Sequence, residues 1–151
     1  MTPSNRIVYD ERLTPPKAWW GAAMLFGIAV ALVFFPYGPI AALIALAIGT
    51  CLAGMFVSAQ GSTRIRVTAD TLFVADARIP LVALGQPEAL HGEDARAWRT
   101  YKADMRAFMV MRSFVTGAVR VEVVDPDDPT PYLYLSTRTP ELLIRALAPQ
   151  S

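Results

Sequence analysis

Charge is missing from the longest uniform stretch of this chain: 46 consecutive residues, Ala18 through Thr63, contain no Asp, Glu, Lys or Arg. Cysteine and histidine are nearly missing too, at one each in 151 residues, and only Lys17 and Lys102 are lysines. Each scarcity narrows the possibilities. A lone Cys51 cannot close an intrachain disulfide, and inside an apolar run it reads as a small hydrophobe. A lone His91 lacks the partners that a zinc or acid–base site requires. There is no glycine-rich phosphate loop, Ser/His/Asp set or CxxC pair. Net charge is +1, and residues 64–151 hold eleven Lys/Arg against eleven Asp/Glu. So balanced a segment, without a dense basic stripe, argues against a nucleic-acid partner and against strong polybasic lipid capture. No cofactor and no metal are expected.

The uncharged run is broken once, at Pro36-Tyr37-Gly38-Pro39. A membrane hairpin over residues 18–60 is expected, with spans at 19–35 and 39–59. At about 1.5 Å per residue these reach roughly 26 and 31 Å, against a hydrocarbon core of about 30 Å. Trp19, Trp20 and Tyr37 fall where amphipathic aromatics favour the headgroup level, and Pro39 suits a first helical turn. A cleaved signal peptide competes for the first span, but the polar leader is long for one and a second span follows at once. A buried soluble hairpin also competes, yet no polar face exists for water. Arg6, Arg12 and Lys17 precede the hairpin, Arg64 and Arg66 follow it, and the turn has no cation. The positive-inside rule therefore puts both termini in the cytoplasm of a multi-pass plasma (inner) membrane protein. Ala23, Gly27 and Ala31 recur every four residues, as do Ala41, Ala45, Gly49 and Ala53. Such faces let helices approach closely, within the hairpin or between chains; chance recurrence of a common residue is the alternative. No ionisable group lies inside either span, which counts against an ion or proton pathway.

Three parts are expected: a cytoplasmic arm (1–17), the hairpin (18–60) and a cytoplasmic domain (62–151). In the domain, 63–67, 72–74 and 78–81 read as a short antiparallel meander. Residues 107–112 read as another strand. Ala118–Val124 sets Val119, Val121 and Val123 on one face, the mark of a half-buried strand. Asp125–Pro131 cannot continue it, so Tyr132–Ser136 returns as the second arm of a hairpin. Glu93–Tyr101 reads as a helix. A last helix starts with Thr139 as N-cap and Pro140 at its first position, and ends by Pro149. The fold class expected is a membrane α-helical hairpin plus an α+β domain, an antiparallel barrel or sheet with a C-terminal capping helix.

That order, with Arg64–Val67, Leu72–Val74, Ile79-Pro80-Leu81 and a closing Pro140-Glu141-Leu142, resembles bacterial membrane-anchored pleckstrin-homology-like (PH-like) domains. A closer resemblance rests on Tyr9-Asp10-Glu11-Arg12-Leu13, Trp19-Trp20 after a proline pair, Asp125-Pro126 through Thr130-Pro131-Tyr132, and Ser136-Thr137-Arg138 followed by Pro140 and Leu142. Through these residues the chain, over nearly its whole length, is similar to a family of small actinobacterial two-span membrane proteins of unknown function. The resemblance implies no activity and carries over no catalytic residue.

Several residues are candidates for chemistry or contact. Arg96, Arg99, Lys102 and Arg106 would share one side of a helix, with Trp98, Tyr101 and Met105 beside them. That stretch reads either as a lipid- or partner-binding surface or as a solvated face over an aromatic core. Asp125, Asp127 and Asp128 read as a solvated loop rather than a Ca²⁺ site, lacking the turn glycine and bidentate Glu. Ser136-Thr137-Arg138 has the groups to hold a phosphate, or is a strand end approaching a helix. Residues 9–13 would dock on the domain as an extra strand, present a peptide to a partner, or stay disordered. Functionally, the leading expectation is a non-enzymatic, membrane-anchored interaction or regulatory module on the cytoplasmic face. The alternatives are an accessory subunit of a larger membrane complex, or a membrane-bound enzyme with an unrecognised site. Expected partners are the lipid bilayer, a membrane protein or a second copy of the chain.

Overall fold

The computed structural model of the protein describes residues 6–61 and 63–148. They form two compact units. Thr14 through Gly61 make one, and the described residues up to Leu13 join those from Thr63 onward in the other.

The first unit is a helical hairpin: α1 (Lys17–Phe34), a 3-10 turn at Phe35–Tyr37, and α2 (Pro39–Gln60). Both helices are long and apolar enough to cross a membrane. Only 11% and 17% of the two apolar windows is buried, whereas a soluble protein's core helix would be mostly covered. α1 opens at Lys17, two residues earlier than expected, and its expected last residue, Phe35, belongs to the 3-10 turn. Pro36 cannot donate to an α-helical ladder, which favours the tighter turn there. Gly38 then takes φ +114°, a conformation open to glycine alone among common residues. Pro39 follows at the first helical position, where its missing N–H costs nothing. Ala23 and Gly27 are buried in α1, and Ala42, Ala45, Gly49 and Val57 in α2. Ala31, Ala41 and Ala53 are half-buried. At the tightest point, a Cβ on Gly27 would collide with Thr50 Oγ1, and one on Gly49 would lie 3.3 Å from Gly27 Cα. Cys51 is exposed on α2.

The second unit is α+β. One sheet has the order β1 (Ile7–Arg12), β2 (Arg64–Thr68), β3 (Thr71–Val74), β4 (Ala77–Pro80), antiparallel throughout. The other comprises β5 (Leu84–Leu90), β6 (Phe108–Val110), β7 (Ala118–Val123) and β8 (Tyr132–Ser136) in the order β5-β7-β8-β6. Helix α3 (Gly92–Arg99) lies between β5 and β6 in sequence, and α4 (Pro140–Leu147) closes the fold. Among the described residues no hydrogen-bonded ladder joins the two sheets, so the β-structure is a pair of four-stranded sheets. The main core lies between them. Ile65, Val67, Leu72 and Val74 from the first sheet meet Val119, Val121, Leu133 and Leu135 from the second, with Leu143, Ala146 and Leu147 of α4. The second sheet is covered on its other face too. Tyr132, Tyr134 and Ala118 pack there with Ala95, and Trp98 rests against them.

Three expectations need correction. The second sheet is not wholly antiparallel, because β6 pairs β8 in parallel, with β7 on the other side of β8. β5 was not anticipated, since Gly85 and Pro87 argue against a strand. It is an edge strand, where proline is tolerated, and its register shifts between Leu84 and Pro87. α3 stops at Arg99 rather than Tyr101. Thr100 leaves helical geometry at φ −118°, ψ −101°, and its hydroxyl donates to the Arg96 carbonyl at 2.8 Å. Lys102 and Arg106 therefore lie beyond the helix. The expected stop at Pro149 lies outside the described residues.

Candidate functional site

The amino-terminal run and the Ser136–Arg138 run meet in the folded domain. β1 pairs antiparallel with β2, Arg12 opposite Arg64, and Leu13 N–H extends the pairing to the Thr63 carbonyl at 3.0 Å. Of the three readings for this arm, the extra strand is the one observed. From β1 the Tyr9 hydroxyl donates to Glu11 Oε2 at 2.7 Å and lies 2.8 Å from Thr139 Oγ1. Thr137 Oγ1 donates to the same carboxylate at 2.6 Å, and Arg138 N–H reaches Glu11 Oε1 at 3.0 Å. Glu11 thus gathers three donors, two of them from over 120 residues away. Burial, and then the neighbouring Glu11 carboxylate, push the Tyr9 phenol above its ordinary 10.0, so it stays protonated and donates.

This arrangement answers two expectations about the run before α4. Thr139 sits at the N-cap, but its side chain makes no capping bond, being engaged with Tyr9 instead. The hydroxyls proposed for phosphate are used internally. Ser136 Oγ accepts from Arg112 N–H at 3.1 Å, Thr137 Oγ1 serves Glu11, and both residues are fully buried. Only the Arg138 side chain reaches the surface. It lies at a cleft with His91 and Glu141, where His91 Nε2 is 3.0 Å from Glu141 Oε1 and both side chains are exposed.

The basic-aromatic stretch divides into an inner and an outer part. Trp98 turns inward, edge-on to Tyr132 with ring centroids 5.3 Å apart. Arg120 of β7 lies 4.3 Å above the Trp98 ring and 5.1 Å from the Tyr132 ring, while Lys102 Nζ stands 5.5 Å from the Trp98 centroid. Stacked guanidinium and indole stabilise each other through the ring quadrupole. Tyr134 secures the same helix by donating to the Ala95 carbonyl at 3.1 Å. Arg120, Tyr132 and Tyr134 were not singled out from the sequence. The signal was present in Tyr132–Ser136: alternating Tyr and Leu leave no polar face, as a strand covered on both sides requires.

Arg96, Lys102 and Arg106 point to solvent, and Arg99 is half-buried. The chain after α3 forms a shaped loop. Lys102 N–H reaches the Ala97 carbonyl at 3.0 Å, Asp104 N–H the Tyr132 hydroxyl at 2.9 Å, and Ala107 N–H the Asp104 carbonyl at 3.0 Å. The Arg106 backbone and guanidinium bond the Asp104 carboxylate and hold it below the usual range. Tyr101 is 81% and Met105 103% exposed.

Asp125 and Asp128 serve their own loop, accepting from Asp127 N–H at 3.0 Å and Thr130 N–H at 2.8 Å. Among the described residues no three His, Cys, Asp or Glu side chains are grouped to hold a metal ion.

The family described as Protein of unknown function (DUF3093) matches residues 8–147. The chain belongs to that family, since the match covers nearly all of it. No curated protein and no solved structure matches.

Proposed function

We propose that this DUF3093 protein is a multi-pass plasma membrane protein with both termini in the cytoplasm, and that its α+β domain is a non-enzymatic interaction or regulatory module. The observation that carries the proposal is the contrast in polarity between the units. α1 and α2 expose large apolar side chains along their length, with no Asp, Glu, Lys or Arg from Ala18 to Thr63. The domain packs Ile65, Leu72, Leu133, Leu135 and Leu143 into a fully or almost fully buried core, as a water-facing module does. The two sheets closed by a C-terminal helix support a PH-like reading of the domain.

Two measurements test this. A reporter active only outside the cytoplasm, fused at Ser151, is expected to stay silent, and activity there would refute the topology. Purification in mild detergent is expected to recover small assemblies without a catalytic turnover. Stabilisation by a metabolite panel would instead point to a membrane-bound enzyme. A second reading, an accessory subunit of a larger membrane complex, is favoured by the open apolar groove between α1 and α2, bordered by Trp19, Phe26, Ala53 and Phe56. Recovery of a stoichiometric membrane-protein partner would select it.

A further inference from the structure

We infer that the loop at residues 100–107 is a lipid-contacting element, which sets Tyr101 and Met105 into the headgroup region of a bilayer containing anionic lipid. The inference rests on the reading of α1 and α2 as membrane-spanning.

Single exposed hydrophobes are ordinary on protein surfaces. Here two large ones stand four residues apart at 81% and 103% exposure, on a loop whose backbone is fixed by the Lys102, Asp104 and Ala107 hydrogen bonds. Among the described residues none covers them. Lys102 and Arg106 on the loop and Arg96 on the helix before it are all exposed, with Lys102 Nζ beside the Trp98 ring. Asp104 is the loop's own carboxylate, and Arg106 already engages it. Two apolar tips on a stretch that also exposes long cationic side chains match an interface in which apolar bodies sink to the acyl boundary and cations remain with phosphate groups. Exposed cations beside exposed apolar tips complement anionic headgroups, and that charge complementarity favours a lipid surface over a protein partner. The tether matters as well. A domain continuous with membrane helices meets the bilayer intramolecularly, so a contact too weak for a free domain suffices here. The inward turn of Trp98 sharpens the assignment, because it removes that ring from the candidate surface and leaves Tyr101 and Met105 in its place.

The test uses the full chain in proteoliposomes. Cys51→Ala removes the native thiol, and Met105→Cys carries an environment-sensitive NBD probe. Vesicles are phosphatidylcholine alone or phosphatidylcholine with phosphatidylglycerol. With phosphatidylglycerol, the emission is expected to shift to the blue and to be quenched by lipids brominated near the headgroup. Raised salt should weaken both effects through screening. The double variant Arg96→Glu, Arg106→Glu should lose them. So should Tyr101→Asp, an exposed change that leaves Trp98 and its stack untouched. A control probe at Asp127→Cys should stay in water throughout. Carbonate extraction of the same vesicles reports helix insertion separately. An inserted chain whose position-105 probe remains in water overturns the inference and leaves the membrane reading intact. A probe shielded only when a native membrane-protein extract is added overturns it in favour of a protein partner. A chain that carbonate extracts fails both readings.

Discussion

Leu32 and Leu135 are the same residue in opposite roles. Leu32 in α1 is 67% exposed, and Leu135 in β8 is fully buried. The same reversal runs through both units. In the domain, cohesion comes from removing aliphatic surface from water, at about 25 cal/mol per Å². For a hairpin in a bilayer, as proposed above, that drive is absent, because lipid is as apolar as leucine, so cohesion would depend on close approach at small residues. Polar groups do not divide this way. The buried hydroxyls of Ser136 and Thr137 are each hydrogen-bonded, but buried polar atoms without a hydrogen-bond partner occur in both units, at Thr50 Oγ1 in the hairpin and at Nε of Arg66, Arg112 and Arg120 in the domain. The lesson is that burial, rather than hydrophobicity, distinguishes core from surface.

The largest expected effect breaks this contrast directly. Leu135→Ala removes a wholly buried side chain from the centre of the main core and should cost the domain about 2–5 kcal/mol. Leu32→Ala removes the same atoms from the hairpin's outer surface and should change domain stability by less than about 0.5 kcal/mol. Thermal unfolding of the detergent-purified chain, followed through Trp98 fluorescence in a Trp19→Phe, Trp20→Phe background, compares the two. Equal losses would erase the distinction.

Next comes the polar cluster at β1. Glu11→Ala strips Tyr9, Thr137 and Arg138 N–H of a shared charged acceptor, and hydrogen bonds to charged groups contribute about 1.5–3 kcal/mol. Tyr9→Phe, which removes one hydroxyl and leaves the carboxylate, should cost less. Hydrogen exchange at residues 7–12 should accelerate in both, more in Glu11→Ala. Unchanged protection there would show that β1 is held by its ladder to β2 alone. In the hairpin the comparable probe is Gly27→Ala, for which overpacking costs of about 1–3 kcal/mol are typical. Gly21→Ala is its control, since an added Cβ there meets nothing within 4 Å. Disulfide cross-linking between cysteines engineered on α1 and α2 should slow for Gly27→Ala alone.

How much of this was legible beforehand follows the same division. The hairpin could be read almost residue by residue, because a long uncharged run broken at Pro36 and Pro39 leaves few places for two helices to start and stop. Its ends moved by only a few residues. In the domain, strands with a clear alternation, such as β7, were legible, and β5 was not, because edge position and a register shift override the usual bar on Gly85 and Pro87. The inward turn of Trp98 was hidden for another reason. Helical spacing placed it beside Tyr101 and Met105, but Thr100 ends the helix, and only the Arg120 and Tyr132 contacts decide which ring goes inside. The Glu11 cluster was the least legible, since its donors are separated by more than 120 residues in sequence. Both runs that form it were visible as motifs, and their proximity was not.

The smallest expected effect concerns the outer face of the first sheet and its response to pH. Asp10 accepts from Arg64 Nε at 2.6 Å, and this bond, followed by the charges of Arg64 and Arg66, holds its carboxyl below the ordinary 3.8. A carboxyl depressed in the folded state contributes stability above its unfolded value, and that contribution is lost as pH falls through the folded one. The loss should therefore begin near pH 3.8 and deepen below it. Because Arg64 is half exposed, solvent screens the pair and its contribution should be the smallest of those compared. Asp10→Asn should lower domain stability at pH 7, and the gap to the native chain should close in acid. The hairpin, with no titratable carboxylate between Ala18 and Thr63, should show no such dependence over the same range. An Asp10→Asn deficit that persists undiminished in acid would locate its effect in the β1–β2 ladder instead of in the charge pair.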